Sequence, residues 1–198
     1  MVTRRPYHHG DLRTALVEAA YGLVARGGPE GLSLRELAQS LEVSSGAPYR
    51  HFPDRQALLA EVAARGFAEL TEAYDRAQTG ATDAHAAMRE TARAYLALAF
   101  RSPGLFRLMF GSDILGAHAP PDLLQRAAEA WEALYRAVAA LDPGADEATM
   151  KRRAITGWST LHGFIALVQG GRLKSFMTEP LTEAELMDAI LDKTLSES

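Results

Sequence analysis

The stretch Leu32–Phe52, LSLRELAQSLEVSSGAPYRHF, constrains the fold most, because it crowds two helix starts and a tight corner into one short run. Ser33 with Glu36 three residues on has the form of a capping box, and Leu32 and Leu37 stand where a hydrophobic staple puts them. Leu34, Leu37, Ala38 and Leu41 recur at helical spacing and give that helix one buried side. Glu42 and Val43 turn the chain, with Val43 as the apolar plug of the corner. Ser44 or Ser45 is expected to cap a second helix whose leading surface, Gly46 and Ala47, is small. Pro48 falls in that helix's first turn, where a missing N–H costs little. Phe52 closes it, and Pro53 with Asp54 opens the next helix. Small residues in front, followed by Tyr49, Arg50 and His51, suit a helix laid into the major groove of DNA. The front approaches base edges while the polar tips reach phosphates. The competing reading is two surface helices of an ordinary bundle. Three successive large polar groups exceed what solvating so short a helix requires.

The segment GLSLRELAQSLEVSSGAPYRHFPDRQALLAEVA closely resembles the DNA-binding domain of TetR-type transcriptional regulators. The resemblance runs from about Tyr7 to Leu70 and is most specific in YRHFPDRQALL. It implies an all-α homodimeric regulator of about nine helices. Its N-terminal three helices would bind operator DNA, and its C-terminal bundle would dimerise and bind a small-molecule inducer. The expected domains are residues 9–70, with the helix-turn-helix at about 33–52, and residues 80–198. Candidate DNA contacts are Arg4, Arg5, Ser33, Arg35, Ser44, Ser45, Gly46, Ala47, Pro48, Tyr49, Arg50, His51 and Arg55. Arg55 is expected in the first turn of the fourth helix, beside N–H groups that favour a phosphate. The family often has lysine there, so arginine is a departure that preserves charge.

The net charge of −4 argues weakly against nucleic acid until it is divided along the chain. Residues 1–55 carry seven Lys and Arg against six Asp and Glu, and the remainder fourteen against nineteen. Contact with DNA must therefore be local, with two copies per operator compensating. The absence of cysteine excludes disulfides, thiol catalysis and cysteine-based zinc sites, and fits a reducing cytoplasm. No apolar run reaches the roughly 18 residues that span a bilayer, and no signal-peptide core follows the start. Neither a membrane partner nor a cofactor is expected.

In chain order, MVTRRPYHH is polar and broken by proline, and Arg4 and Arg5 could touch the backbone or minor groove as such arms do. An arm without a role is the equal alternative. His8 and His9 make no metal site, since adjacent side chains diverge and no third ligand is near. Asp11–Arg26 reads as a helix with a stripe of Leu12, Leu16, Ala19 and Leu23, stopped by Gly27 and Gly28. Asp54 caps a helix running to about Gln78, a lever that could link pocket occupancy to the spacing of two heads. A break at Thr79–Thr82 marks the domain boundary, and a helix from Thr82 to about Arg101 follows. Ser102 and Pro103 start a short helix that Gly111 stops, and residues 112–121 form a loop. Further helices run from Asp122 to about Leu141 and from Asp146 to about Gln169, and a last one starts at a Thr182–Glu185 box.

The helix over 146–169 is apolar nearly all round, with Ile155, Trp158, His162 and Ile165 on one stripe and Ala154, Gly157, Leu161, Phe164 and Val168 on another. Such a helix is buried on both sides. One side can face the chain's own core and the other a second copy. The expected dimer surface is Ile155, Gly157, Leu161, Phe164 and Val168 with Leu186, Met187, Ile190 and Leu191 of the last helix, a four-helix interface across a two-fold. The pattern Trp158-x-x-x-His162-Gly163 is similar to the C-terminal domain of a TetR subgroup named for tryptophan, histidine and glycine.

No phosphate-binding glycine motif and no Gly-x-Ser-x-Gly is present, and no carboxylate pair has acid–base spacing, so an enzyme is not expected. His162 could orient a ligand, or be a hydrogen-bonded core residue. Tyr95, Phe100, Phe106, Met109, Phe110, Trp131, Tyr135, Trp158 and His162 supply more aromatic bulk than a small core requires, which predicts a pocket for an apolar or aromatic inducer. Each alone is equally explained as core. The expected function is a repressor released from a palindromic operator by that inducer. The rivals are a helical dimeric protein-interaction module, whose binding would not fall steeply with salt, and a bundle enzyme that uses His162.

Overall fold

A computed structural model describes residues 9–196. Among them the secondary structure is helical, in the order α1 (His9–Gly27), α2 (Leu34–Ser40), a 3-10 turn (Pro48–Arg50), α3 (Arg55–Thr79), α4 (Ala84–Arg101), α5 (Pro103–Phe110), a second 3-10 turn (Asp113–Leu115), α6 (Pro121–Ala139), α7 (Glu147–Gln169), α8 (Ser175–Thr178) and α9 (Glu183–Ser196). The all-α expectation and its number of helices hold. Arg4 and Arg5 lie outside the described residues.

The chain forms two compact units. One comprises the residues through Phe67 together with Ser102–Arg126, and the other comprises Ala68–Arg101 and the residues from Ala127. Sequence placed a single cut near residues 79–82; in the structure the chain re-enters the first unit through α5. The cause is a close crossing of α5 on α1. A Cβ on Gly104 would lie 2.0 Å from the Val24 carbonyl oxygen and 2.5 Å from the Gly28 nitrogen, so no other residue fits there unless the backbone moves. A composition-based boundary cannot register such a contact.

Within the first unit, α1 buries Leu12, Leu16, Ala20 and Val24, one residue per turn. Leu23, expected in that stripe, is 44% exposed because it lies about 100° round from Val24. Gly28, at φ +89°, ends α1 and its N–H donates to the Val24 carbonyl at 2.8 Å. Asp54 caps α3, accepting from the Ala57 N–H at 2.8 Å. Phe110 meets Phe67 edge-on at 5.3 Å and Phe106 at 5.0 Å, and Leu105, Phe106 and Met109 are buried. These aromatics seat α5 on α3 as well as on α1.

In the second unit, α4, α7 and α9 pack against one another. Met88, Ala92, Tyr95, Leu96 and Ala99 of α4, Ala154, Leu161, Phe164 and Ile165 of α7 and Leu191 of α9 are buried. The Gln169 amide donates to the Ala99 carbonyl at 2.9 Å, and Arg89 pairs with Asp192. Asp146 caps α7 through the Thr149 N–H at 2.8 Å, a bond that holds its carboxyl below the usual range. Thr182 and Glu185 form the expected box at the start of α9, the Glu185 carboxylate accepting from the Thr182 N–H at 2.7 Å. The four-residue α8 has no counterpart in the sequence reading.

Candidate functional site

The corner after α2 is built from the residues that sequence singled out, with one change of element. Leu32, Leu34, Leu37 and Ala38 are buried, and Ser33 Oγ accepts from the Glu36 N–H at 3.4 Å. The Val43 N–H returns to the Ala38 carbonyl at 3.0 Å and the Glu42 N–H to Gln39 at 3.1 Å, which forces Glu42 into the left-handed region at φ +55°. The second helix is not an α-helix. Pro48–Arg50 is a single 3-10 turn with Ala47 at its N-cap position and no side-chain cap, so neither Ser44 nor Ser45 plays the capping part expected of it. Proline at the first position, with glycine two residues before, leaves no propensity to extend the turn.

That turn still presents the expected edge. Pro48 and Phe52 are buried, while Tyr49, 54% exposed, and Arg50 point out. Ser44, Ser45 and Gly46 are exposed, and a side chain at Gly46 would stand in open space. Arg35, on α2, is exposed as well. Pro48 therefore serves as the inward foot of the turn and not as part of its outer surface. The Arg13 guanidinium stands 5.2 Å over the Phe52 ring and donates to Glu61 at 3.1 Å, bracing the same foot from α1 and α3.

Arg55 is placed differently from expectation. Its Nε donates to the Leu32 carbonyl at 3.0 Å and its Nη2 to the Pro29 carbonyl. A guanidinium bonded to two part-buried carbonyls ties α3 to the loop before α2, and its Nε and Nη2 donors are engaged within the chain.

The aromatic residues expected to share a pocket divide between the units. Phe106 and Met109 are core of the first unit and Phe110, half-buried, packs on Phe106 and Phe67 beside them. In the second unit, Trp158 Nε1 donates to the Tyr95 hydroxyl at 2.8 Å, and Tyr95 meets His162 Nδ1 at 2.8 Å. Indole N–H only donates, so the arrangement that satisfies all three groups has Tyr95 donating to Nδ1, with the imidazole proton on Nε2. Burial holds His162 below its usual pKa, and it raises the Tyr95 phenol above the usual range. Trp131 and Tyr135 stack at 6.4 Å in the same unit, and Phe100 is half-buried. Two surface clefts of the first unit, about 650 and 220 Å³, are lined by Asp54, Ala57, Ala60, His118 and Pro120 among others, and by none of the residues predicted for a pocket.

The predicted dimer residues also divide. Gly157, Leu161, Phe164 and Leu191 face the chain's own core, whereas Val168, Leu186, Met187 and Ile190 are half-buried. The outward face of α7 is Ile155, Thr156, Ser159, Gly163, Ala166 and Leu167. Periodicity identified two apolar stripes without telling which one the chain keeps for itself.

Residues 88–193 match the family described as tetracyclin repressor-like, C-terminal domain, and residues 16–62 match bacterial regulatory proteins, tetR family. The chain belongs to the TetR family. Its members are DNA-binding transcriptional regulators, not enzymes. A protein of unknown function from Rhodococcus sp. RHA1 is similar in structure, with 32% identity, a TM-score of 0.82 and 98% of each chain covered. The regulatory protein SCO4313 is similar at 26% identity and TM-score 0.76, covering 98% of this chain and 100% of that one. The HTH-type transcriptional regulator Rv1816 of Mycobacterium tuberculosis is 36% identical over 97 residues, which span 48% of this chain and 42% of that protein. The chain thus matches less than half the length of this curated relative. Among the described residues no helix is long and apolar enough to cross a membrane.

Proposed function

We propose that this TetR-family chain is a repressor that binds a palindromic operator as a homodimer and leaves it when a small apolar or aromatic ligand binds the second unit. The observation that carries the reading is the turn at Pro48–Arg50, whose buried foot of Pro48 and Phe52 holds Tyr49 and Arg50 outward. Ser45, Gly46 and Ala47 are the base-facing positions, while Tyr49, Arg50 and His51 position the turn on phosphates. Two such heads fit successive major grooves about 34 Å apart.

Dimerisation is supported by the outward face of α7, where no charged residue occurs from Ala154 to Gly171. Gly163, with open space around it, lies mid-way along that face and permits close approach of a second α7. Ligand binding is supported by the Trp158–Tyr95–His162 chain, which sets polar tips within an aromatic cluster as a bundle pocket does. A ligand acts by preferring the state with wrongly spaced heads, and it lowers operator affinity only by that preference.

Selection of bound sequences from a random DNA pool, followed by a screen for compounds that release them, tests the whole reading. The expected result is a two-fold symmetric consensus and at least one releasing compound. A consensus without symmetry would overturn the dimer part, and binding insensitive to salt would overturn the DNA part.

A further inference from the structure

The segment joining α7 to α9 is tightly turned yet carries bare apolar side chains. Gly171, at φ +59°, reverses the chain, with its N–H on the Val168 carbonyl at 2.9 Å and the Arg172 N–H on Leu167 at 2.9 Å. The following α8 is closed by the Glu179 N–H donating to Ser175 at 2.8 Å. On this ordered strap Phe176 is 81% exposed, Met177 61% and Leu181 50%. Ile155 and Leu167, 51% and 42% exposed, lie on the outward face of α7 in the same unit.

The occupant follows from the area a dimer needs and from the symmetry of α7. The uncharged strip of α7 is about 25 Å long and about one helix diameter, 10 Å, wide. That falls well short of the roughly 800 Å² each partner contributes to a stable interface. One exposed phenylalanine adds on the order of 150–250 Å². Gly163 leaves room for close approach, and a two-fold placed across α7 there, with the two helices antiparallel, sets the end of one against the start of the other. Leu167 then lies over Ser159 of the second copy. Ile155 and Gly171 are equally far from Gly163 in sequence, so Ile155 of one copy meets the strap that follows Gly171 of the other.

We infer that the α8 strap of each copy docks Phe176 and Met177 over the Ile155 end of α7 in the second copy. The inference rests on the proposed dimer and goes beyond it, because it assigns part of the interface to a segment outside the packed helices, exchanged between the two copies.

The chain has no cysteine, so introduced thiols report without background. In the full-length protein, Ile155→Cys with Phe176→Cys, or with Met177→Cys, is expected to give a covalent dimer under mild oxidation or with a short bismaleimide. Each single variant stays uncrosslinked, its two thiols lying far apart across the two-fold. Phe176→Ser, exposed and hence harmless to the fold of one copy, is expected to weaken self-association at least about tenfold in sedimentation equilibrium. A wild-type monomer overturns the dimer and the strap contact together. A wild-type dimer in which neither paired variant crosslinks and Phe176→Ser is neutral overturns the strap contact alone. Loss of binding to lipid vesicles in Phe176→Ser, with self-association unchanged, would assign the strap to a membrane surface and overturn it as well.

Discussion

Arg55 Nε donates to the Leu32 carbonyl across 3.0 Å, so the first residue of α3 holds the loop before α2 in place. The Pro29 carbonyl takes a second bond from the same guanidinium. Removing the side chain leaves the Leu32 carbonyl short of a donor, whereas the Pro29 carbonyl keeps the Leu32 N–H at 3.2 Å; such a loss costs about 1–3 kcal/mol when the group stays desolvated. Arg55→Ala is therefore expected to destabilise the first unit by about 2 kcal/mol in urea denaturation. The slope of log K against log salt for DNA is expected to stay at the wild-type value. A shallower slope would return Arg55 to the phosphate contact that its sequence position suggests.

Glu42 at φ +55° and Gly171 at φ +59° close helix ends by the same pair of backbone bonds. A residue with a side chain loses about 1–2 kcal/mol in the left-handed region, and glycine does not. Part of that gain is returned as greater freedom of the unfolded chain. Glu42→Gly is expected to raise stability by about 0.5–1 kcal/mol, seen as a higher midpoint in denaturant with an unchanged m-value.

Gly104 touches the backbone of α1, so the obstacle to any side chain is rigid. Overpacking of this kind costs about 1–3 kcal/mol or more. Gly104→Ala is expected to fall at or above the top of that range in chemical denaturation. Gly46→Ala meets open space and is the matched control, expected to keep wild-type stability.

These contrasts show what a sequence can disclose. The buried face of α2, the cap at Asp54, the start of α7 near Asp146, the Thr182–Glu185 box and the stop after Phe110 were legible, because each is set by residues within a turn of one another. The role of Arg55, the recruitment of α5 to the first unit and the choice of stripe on α7 were not. Each depends on a group distant in sequence: Leu32 for Arg55, Val24 for Gly104, and α4 and α9 for α7. The shortness of the reading turn falls between these cases. Gly46 and Pro48 were visible, but their combined effect on helix length was outweighed by the pattern of polar tips.

His162 accepts from Tyr95 in a part-buried position, and burial lowers its pKa below the ordinary imidazole value of 6.5. The folded state therefore prefers the neutral ring. Above pH 6.5 both folded and unfolded chains carry it neutral and this contribution to stability is intact. As pH falls below 6.5 the unfolded chain takes up the proton first, and the contribution is lost as pH approaches the folded value. His162→Gln is expected to flatten the fall in thermal midpoint between pH 7 and pH 5. An unchanged fall would assign the acid sensitivity to other groups.

Tyr49 and Arg50 stand out from the first unit on a turn whose inward residues are Pro48 and Phe52. In the proposed operator complex these two side chains touch phosphate and carry no base information, whereas Ser45 and Ala47 are assigned to the base edges. Tyr49→Phe removes one hydroxyl hydrogen bond, about 0.5–1.5 kcal/mol, and is expected to weaken all DNA sequences alike. Arg50→Ala removes a cation, and each lost phosphate contact lowers the magnitude of the salt slope by about 0.9. A dimer loses one in each half-site, so the expected change is about 1.8 by the same relation. A change near half of that would mean that only one head engages the duplex. No change in slope would take Arg50 off the phosphate backbone, and with it the orientation assigned to the turn.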